Sequence, residues 1–311
     1  MVGVGRRASI VARSDLRATI DRIDLAYADL SDPAAVADAI QQHRPGEIYN
    51  LASQSAPALS WSRPDETAEI TGVGAHRLFE AARRFLPQCR IYQASSSEMY
   101  GEVIESPQNE RTPFNPSNPY AAAKVYAHHM AHVYRRGYGM FISCGILFNH
   151  ESPLRPMRFV TQKVAHGAAC AKLGIRESPQ LNEEGDPIVA SGKLSLGNLD
   201  AARDWGHARD YVEAMWLMLQ QATPDDYVIG TGRLRTIRDL CATAYGHVGC
   251  DWQEHVVSQP RLKRPLETGP TVADTAKAGR MLGWTPTIGF DTMIAEMVDA
   301  QLAALRAAPG R

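Results

Sequence analysis

Residues 92–124 read YQASSSEMYGEVIESPQNERTPFNPSNPYAAAK. The short run from Arg90 to Ala94 has the length and composition of a strand, and it ends in three serines and Glu98. A Pro- and Asn-rich loop follows, and Pro119 before Tyr120 fixes the entry of a helix. Lys124 comes one turn after Tyr120, so the two side chains share a helix face. Hydroxyls and a carboxylate at a strand end, with a phenol and an ammonium stacked nearby, are parts suited to proton transfer. A phenol ordinarily titrates near ~10, and a neighbouring cation favours the phenolate and brings it toward a useful base strength. Ser96 can donate to a substrate oxygen, and Glu98 can act as a base when partly desolvated. Each part alone also has a plainer reading: a surface Tyr–Lys pair, turn-forming serines and a solvated Glu98.

Working outward, Val2–Gly5 reads as a strand running into a basic loop at Arg6 and Arg7. The stretch from Ile23 to Ala28 alternates like a strand and stops at Asp29 and Leu30. Asp32-Pro33 opens a helix to about His43, broken at Pro45. Glu47 to Leu51 is a strand ending in a small polar cluster with Ser53 and Ser55, and helical spacing runs from Pro64 to Phe85. Phe141 to Leu147 is a buried-strand candidate leading to Asn149. Strands alternating with helices predict βαβ units, hence an α/β fold with a Rossmann-like, doubly wound parallel sheet. Ligands of such sheets sit beyond the carboxyl ends of the strands, where all these polar clusters fall. An Arg placed there can meet a 2′-phosphate, although a solvated basic loop is an equal reading of Arg6 and Arg7.

The second half is less regular. Helices are predicted at 158–172, 207–220, 236–247 and 289–306, strands at 194–198 and 227–230, and a polar excursion at 174–193. The expected division is a cofactor domain of 1–150 plus about 194–230. A smaller interleaved α/β substrate domain would take about 151–193 and 231–311. Lys163, Arg203, Arg209 and Arg264 could grip a diphosphate, for which a guanidinium fork is well shaped, or could simply be surface residues. The histidines, including His128-His129, lack metal-ligand spacing with a third partner, so no metal is expected.

A net charge of −1 lacks the Lys/Arg excess that phosphate neutralisation demands, which argues against a nucleic-acid partner. No apolar run reaches membrane-spanning length, and the basic N-terminus lacks the apolar block of a secretory signal. Five scattered cysteines without CxxC spacing suggest reduced thiols in a cytoplasmic protein.

Taken together, the segments GVGRRAS (3–9), YADLSD (27–32), EIYNLASQS (47–55), YQASSSEMYG (92–101) and NPYAAAK (118–124) are distinctive. With GILFNHESP (145–153), FVTQK (159–163), LGNLDAARDWGHARDYV (196–212), RPLE (264–267) and KAGRMLGW (277–284), they resemble the extended short-chain dehydrogenase/reductase family. Within it they look most like the GDP-mannose 4,6-dehydratase branch. The resemblance implies a hydro-lyase acting on GDP-mannose with NADP. Tyr120 would take the 4-hydroxyl proton, helped by Lys124, with Ser96 standing where the family carries a catalytic Thr and Glu98 removing the C5 proton. Cofactor positions would be Arg6, Arg7, Asp29, Leu30, Leu51, Ser53 and Ser55, besides Tyr120 and Lys124. Substrate positions would be Asn149, Lys163, Asn198, Arg203, Arg264 and Glu267. A homodimer or homotetramer is also implied.

The chain differs from that pattern in three places. It begins after the strand and glycine-rich turn that cradle a cofactor pyrophosphate, so a missing first strand, unpaired backbone in the sheet and weak cofactor binding are expected. Leu154 and Pro156 stand where Arg and Gly are expected, and the 174–193 excursion is longer than the family's connection. Another nucleotide-sugar epimerase, dehydratase or reductase is the alternative, and Glu98 separates dehydration from the epimerase and reductase readings because those reactions need no C5 base. A shortened, non-catalytic paralogue is the remaining alternative.

Overall fold

A computed structural model describes residues 1–7, 10, 20–262 and 269–307. In chain order its elements begin with β1 (Val2–Gly5), β2 (Asp24–Tyr27), α1 (Pro33–His43), β3 (Glu47–Asn50) and α2 (Gly74–Phe85). They continue with β4 (Arg90–Ser96), α3 (Pro119–Tyr138), β5 (Ile142–Leu147), β6 (Asn149–Glu151), α4 (Val160–Leu173), β7 (Val189–Ala190) and β8 (Lys193–Leu196). The other main elements are β9 (Ala202–His207), α5 (Ala208–Leu219), β10 (Asp226–Ile229), β11 (Leu234–Thr236), α6 (Ile237–His247), β12 (Val256–Ser258), α7 (Ala276–Leu282) and α8 (Phe290–Ala307), with short helical turns between some of them.

The chain forms two compact units. The first takes Met1–Leu147, Glu213–Ile229 and Thr275–Trp284, and the second takes Phe148–Val212, Gly230–Asp274 and Thr285–Arg311. This differs from the expected division in two places, for reasons of pairing. Residues 194–212 fall in the second unit, because β8 lies between β7 and β12 while β9 lies between β6 and β11. Residues 275–284 fall in the first, where Lys277 donates to the Asp226 carbonyl at 2.7 Å and pairs with Asp225 at 2.7 Å.

In the first unit, β10, β5, β4 and β3 form a parallel sheet in that order. All six residues of β5 are buried, which is why the strand reads as a continuous apolar run and not an alternating one. Gly145 in β5 leaves room for Tyr92 of β4, whose hydroxyl would lie 2.6 Å from a Cβ at that position. Strands β1 and β2 pair in parallel as a separate ribbon. Among the described residues no ladder joins that ribbon to β3, so the sheet is interrupted there. Helix α1 starts where Asp32 accepts from the Ala34 and Ala35 amides, with Pro33 at its first position, and it buries Val36 and Ile40 one turn apart. The close approach of Leu30 to α2 explains Gly74 at its start, where a Cβ would come within 2.7 Å of the leucine Cβ. Phe79, Ile91 and Ile142 complete this core, each contributing about 1.5–3 kcal/mol by burial.

The second unit packs α4, α6 and α8 around Val164, Leu240, Met293 and Met297. Its fully buried Asp204 accepts from the amides of Thr231, Gly232 and Ala273, tying two loops to β9. The 174–193 excursion is more ordered than a loop, with a Leu181–Pro187 bridge and an antiparallel β7–β8 hairpin. No helix among the described residues is long and apolar enough to cross a membrane.

Candidate active site

Strand β4 continues two residues further than expected, because its ladder with β5 runs on through Ser95–Ile146 and Ser96–Leu147. Ser96 is therefore the last strand residue, and its Oγ accepts from the Glu98 amide at 3.2 Å to cap the 3₁₀ turn Ser97–Tyr100. The half-buried Glu98 carboxylate accepts from Asn118 Nδ2 at 3.1 Å. The same Asn118 caps α3, its Oδ1 accepting from the Ala121 amide at 2.8 Å. One amide side chain thus ties the carboxylate to the first turn of the helix that carries Tyr120 and Lys124.

Both of those residues are buried. Lys124 Nζ lies 5.8 Å from the centre of the Tyr120 ring and donates to the Ala94 carbonyl at 2.7 Å. Burial pushes the Lys124 amine down to about 8, so it remains mostly charged near neutrality but is poised to lose its proton. Ser96, Glu98, Tyr120 and Lys124 therefore fall on one strand–turn–helix junction. The sequence reading overlooked Asn118 and the Ala94 carbonyl. Asn118 could have been found as the residue before the Pro–Tyr helix start; the carbonyl has no sequence signal.

The proposed cofactor positions follow the carboxyl ends of β1, β2 and β3. Arg7 lies over the Tyr27 ring at 4.6 Å, and Arg6 reaches Glu66 at 3.9 Å. The Asp29 carboxylate accepts from the Ser31 amide and hydroxyl, and chiefly that amide holds its carboxyl below the usual range. Leu51 is 56% exposed, Ser55 is exposed, and Ser53 bonds to Thr71 at 3.1 Å. Leu30 instead packs under Gly74, offering its carbonyl to Arg77 at 3.2 Å. An exposed apolar side chain, an ionised acceptor and two guanidinium groups are a donor set that fits a nicotinamide dinucleotide.

In the second unit, Lys163 and Arg158 line a cavity of about 210 Å³. Its other walls include Asn182, Glu183, Glu184 and Ile188 of the excursion. Asn149 pairs in register with Trp205, and Asn198 accepts from the Asp200 amide. Arg203 donates to the Ala202 carbonyl at the start of β9. Arg264 and Glu267 lie outside the described residues.

A family model described as GDP-mannose 4,6 dehydratase matches residues 2–297. The chain is 44% identical over 282 residues to GDP-mannose 4,6 dehydratase 1 of Arabidopsis thaliana, covering 89% of this chain and 74% of that protein. Among solved structures, RMD from Pseudomonas aeruginosa complexed with NADPH superposes with a TM-score of 0.80 at 21% identity, covering 97% of this chain and 99% of that one. DesIV from Streptomyces venezuelae, a dTDP-glucose 4,6-dehydratase with NAD bound, gives 0.76 at 21% identity, with 96% and 86% covered. Both structures share the Rossmann-type α/β fold.

Proposed function

Because the chain belongs to the GDP-mannose 4,6 dehydratase family, we propose that it converts GDP-mannose to GDP-4-keto-6-deoxymannose. The observation that carries this reading is the Asn118 tether, which sets the Glu98 carboxylate beside the Tyr120–Lys124 turn. A base for C5 thus accompanies the pair that handles the C4 hydroxyl.

Tyr120 as phenolate takes the proton from the 4-hydroxyl, and the Lys124 ammonium stabilises that phenolate. Ser96 donates a hydrogen bond to the same oxygen. The resulting ketone acidifies the C5 proton, which Glu98 removes and passes to the departing 6-hydroxyl, so that water leaves. A bound nicotinamide dinucleotide would supply the chemistry of accepting the C4 hydride and returning it at C6, and the Tyr120 phenol then gives its proton to C5, which completes the product and restores the phenolate. We infer NADP as the form used, on the strength of Arg6 and Arg7 beside the Asp29 rim. Asn149, Lys163, Asn198 and Arg203 are proposed GDP contacts, joined by Arg264 and Glu267. Lys163 has a second cation, Arg158, in its cavity, whose lining also carries Glu183 and Glu184.

The five cysteines, which form no disulfide with one another, fit a reducing, cytoplasmic compartment, and the family resemblance favours a homodimer or homotetramer, which light scattering checks directly. Incubation with GDP-mannose and NADP is expected to yield a sugar nucleotide lighter by one water, with a keto group at C4. A folded protein that binds GDP-mannose without forming this product refutes the reading. Glu98→Gln is expected to abolish water loss while leaving the fold intact; unchanged turnover in that variant excludes Glu98 as the base.

A further inference from the structure

The histidines that sequence spacing left without a role converge with a residue far along the chain. His128 and His132 stand one turn apart on α3, and Asp226 reaches them from the first position of β10. His132 Nε2 lies 2.6 Å from Asp226 Oδ2, and His128 Nε2 lies 3.8 Å from the same oxygen. The three ligand atoms all fall within 4.8 Å of one another. We propose that His128, His132 and Asp226 form a binding site for a divalent transition-metal ion of the zinc class.

The surroundings support ligation more than a simple ion pair. Ser95 Oγ bonds His128 Nδ1 at 2.8 Å, which fixes the ring and turns Nε2 toward Asp226, as outer partners of metal-binding histidines do. Arg135 occupies Asp226 Oδ1 at 2.7 Å, leaving Oδ2 as the shared point of the two imidazoles. A zinc ion with ligands at about 2.0–2.2 Å holds them roughly 3.3 Å apart in a tetrahedron. The 2.6 Å contact must open and the 3.8 Å contact must close, each by under about an ångström, while the two imidazole nitrogens, within 4.8 Å of each other, close by at most about 1.5 Å. The His132 side chain is 34% exposed, so a small rotation of it supplies the adjustment, an entry path and room for water as a fourth ligand. The cost is the nearby charge of Arg135, which is why a borderline transition metal that bonds imidazole is expected, and not calcium or magnesium.

The test is titration of the purified full chain with Co²⁺ alone, read by its visible absorption, and with Zn²⁺ alone, read by equilibrium dialysis. One equivalent with a tetrahedral-type cobalt spectrum is expected. His132→Ala should weaken binding by more than about tenfold. His132→Gln, which keeps a polar side chain of similar reach, should do the same, while His129→Ala on the exposed neighbour should bind as the parent does. Absence of a cobalt band in the parent overturns the proposal. Equal binding by parent and both His132 variants also overturns it, by placing any ion elsewhere, for example on the thiols.

Discussion

Replacing Lys124 with methionine is expected to remove activity while also removing a pH-dependent component of stability. The parent amine titrates at about 8 in the fold against an ordinary 10.5, and desolvation is the cause. Between those values the unfolded chain holds a proton that the folded chain has given up, so stability rises with pH through that window. Below pH 8 both states are charged and the cost of burying the charge is felt in full. Integrating one proton from pH 7 to about pH 9.5 gives a gain of about 2 kcal/mol for the parent. Lys124→Met has no such group, so its stability difference from the parent must change by about that amount across the same interval. Urea unfolding of the two proteins at both pH values measures it, with the shared thiols and tyrosines cancelling in the difference. A constant difference would show that Lys124 is not desolvated, and the expected decline of turnover near pH 8 would fall with it. The parent's turnover is expected to decline as pH rises through about 8, because the ammonium that favours the phenolate is then lost.

Asn118→Ser keeps a helix-capping oxygen but loses the side-chain amide nitrogen that reaches Glu98, so it should fold normally and slow turnover about tenfold. Reduced nicotinamide should accumulate in that variant, since C4 oxidation proceeds and elimination lags; unchanged turnover removes Asn118 as a positioning residue. Asn118→Ala loses the cap as well and should also cost about 1 kcal/mol in stability, read from the urea midpoint. Gly145→Ala drives a Cβ to within 2.6 Å of the Tyr92 hydroxyl and of Leu147, and overpacking of about 1–3 kcal/mol should lower the thermal midpoint.

Much of the first unit was readable because its signals are local. Asp32-Pro33 fixes a helix start by its own capping chemistry, and the helix runs to His43 as expected. Tyr120 and Lys124 are one turn apart, so helix geometry alone puts them on one face. The strand end was missed at Ser95 and Ser96 because serines favour turns by themselves, and here the β5 ladder outweighs that preference. The second unit was harder, since β6, β9, β11 and β12 run only three to six residues each and gain their strand character from partners distant in sequence.

The same distinction separates the reacting groups from the groups that hold them. The four proposed catalytic residues lie on one strand–helix connection, so motif and spacing expose them. Their supports arrive from elsewhere: Glu98 meets Asn118 across 20 positions, Lys124 meets the Ala94 carbonyl across 30, and His132 meets Asp226 across 94. Only sheet order and helix docking decide those meetings, and neither is written in any short window. A substitution at Asn118 can therefore leave every proposed catalytic residue of the motif in place and still change which step limits the reaction. For Asp226, the motif around Tyr120 is equally silent, because its partners are set by where β10 joins β5.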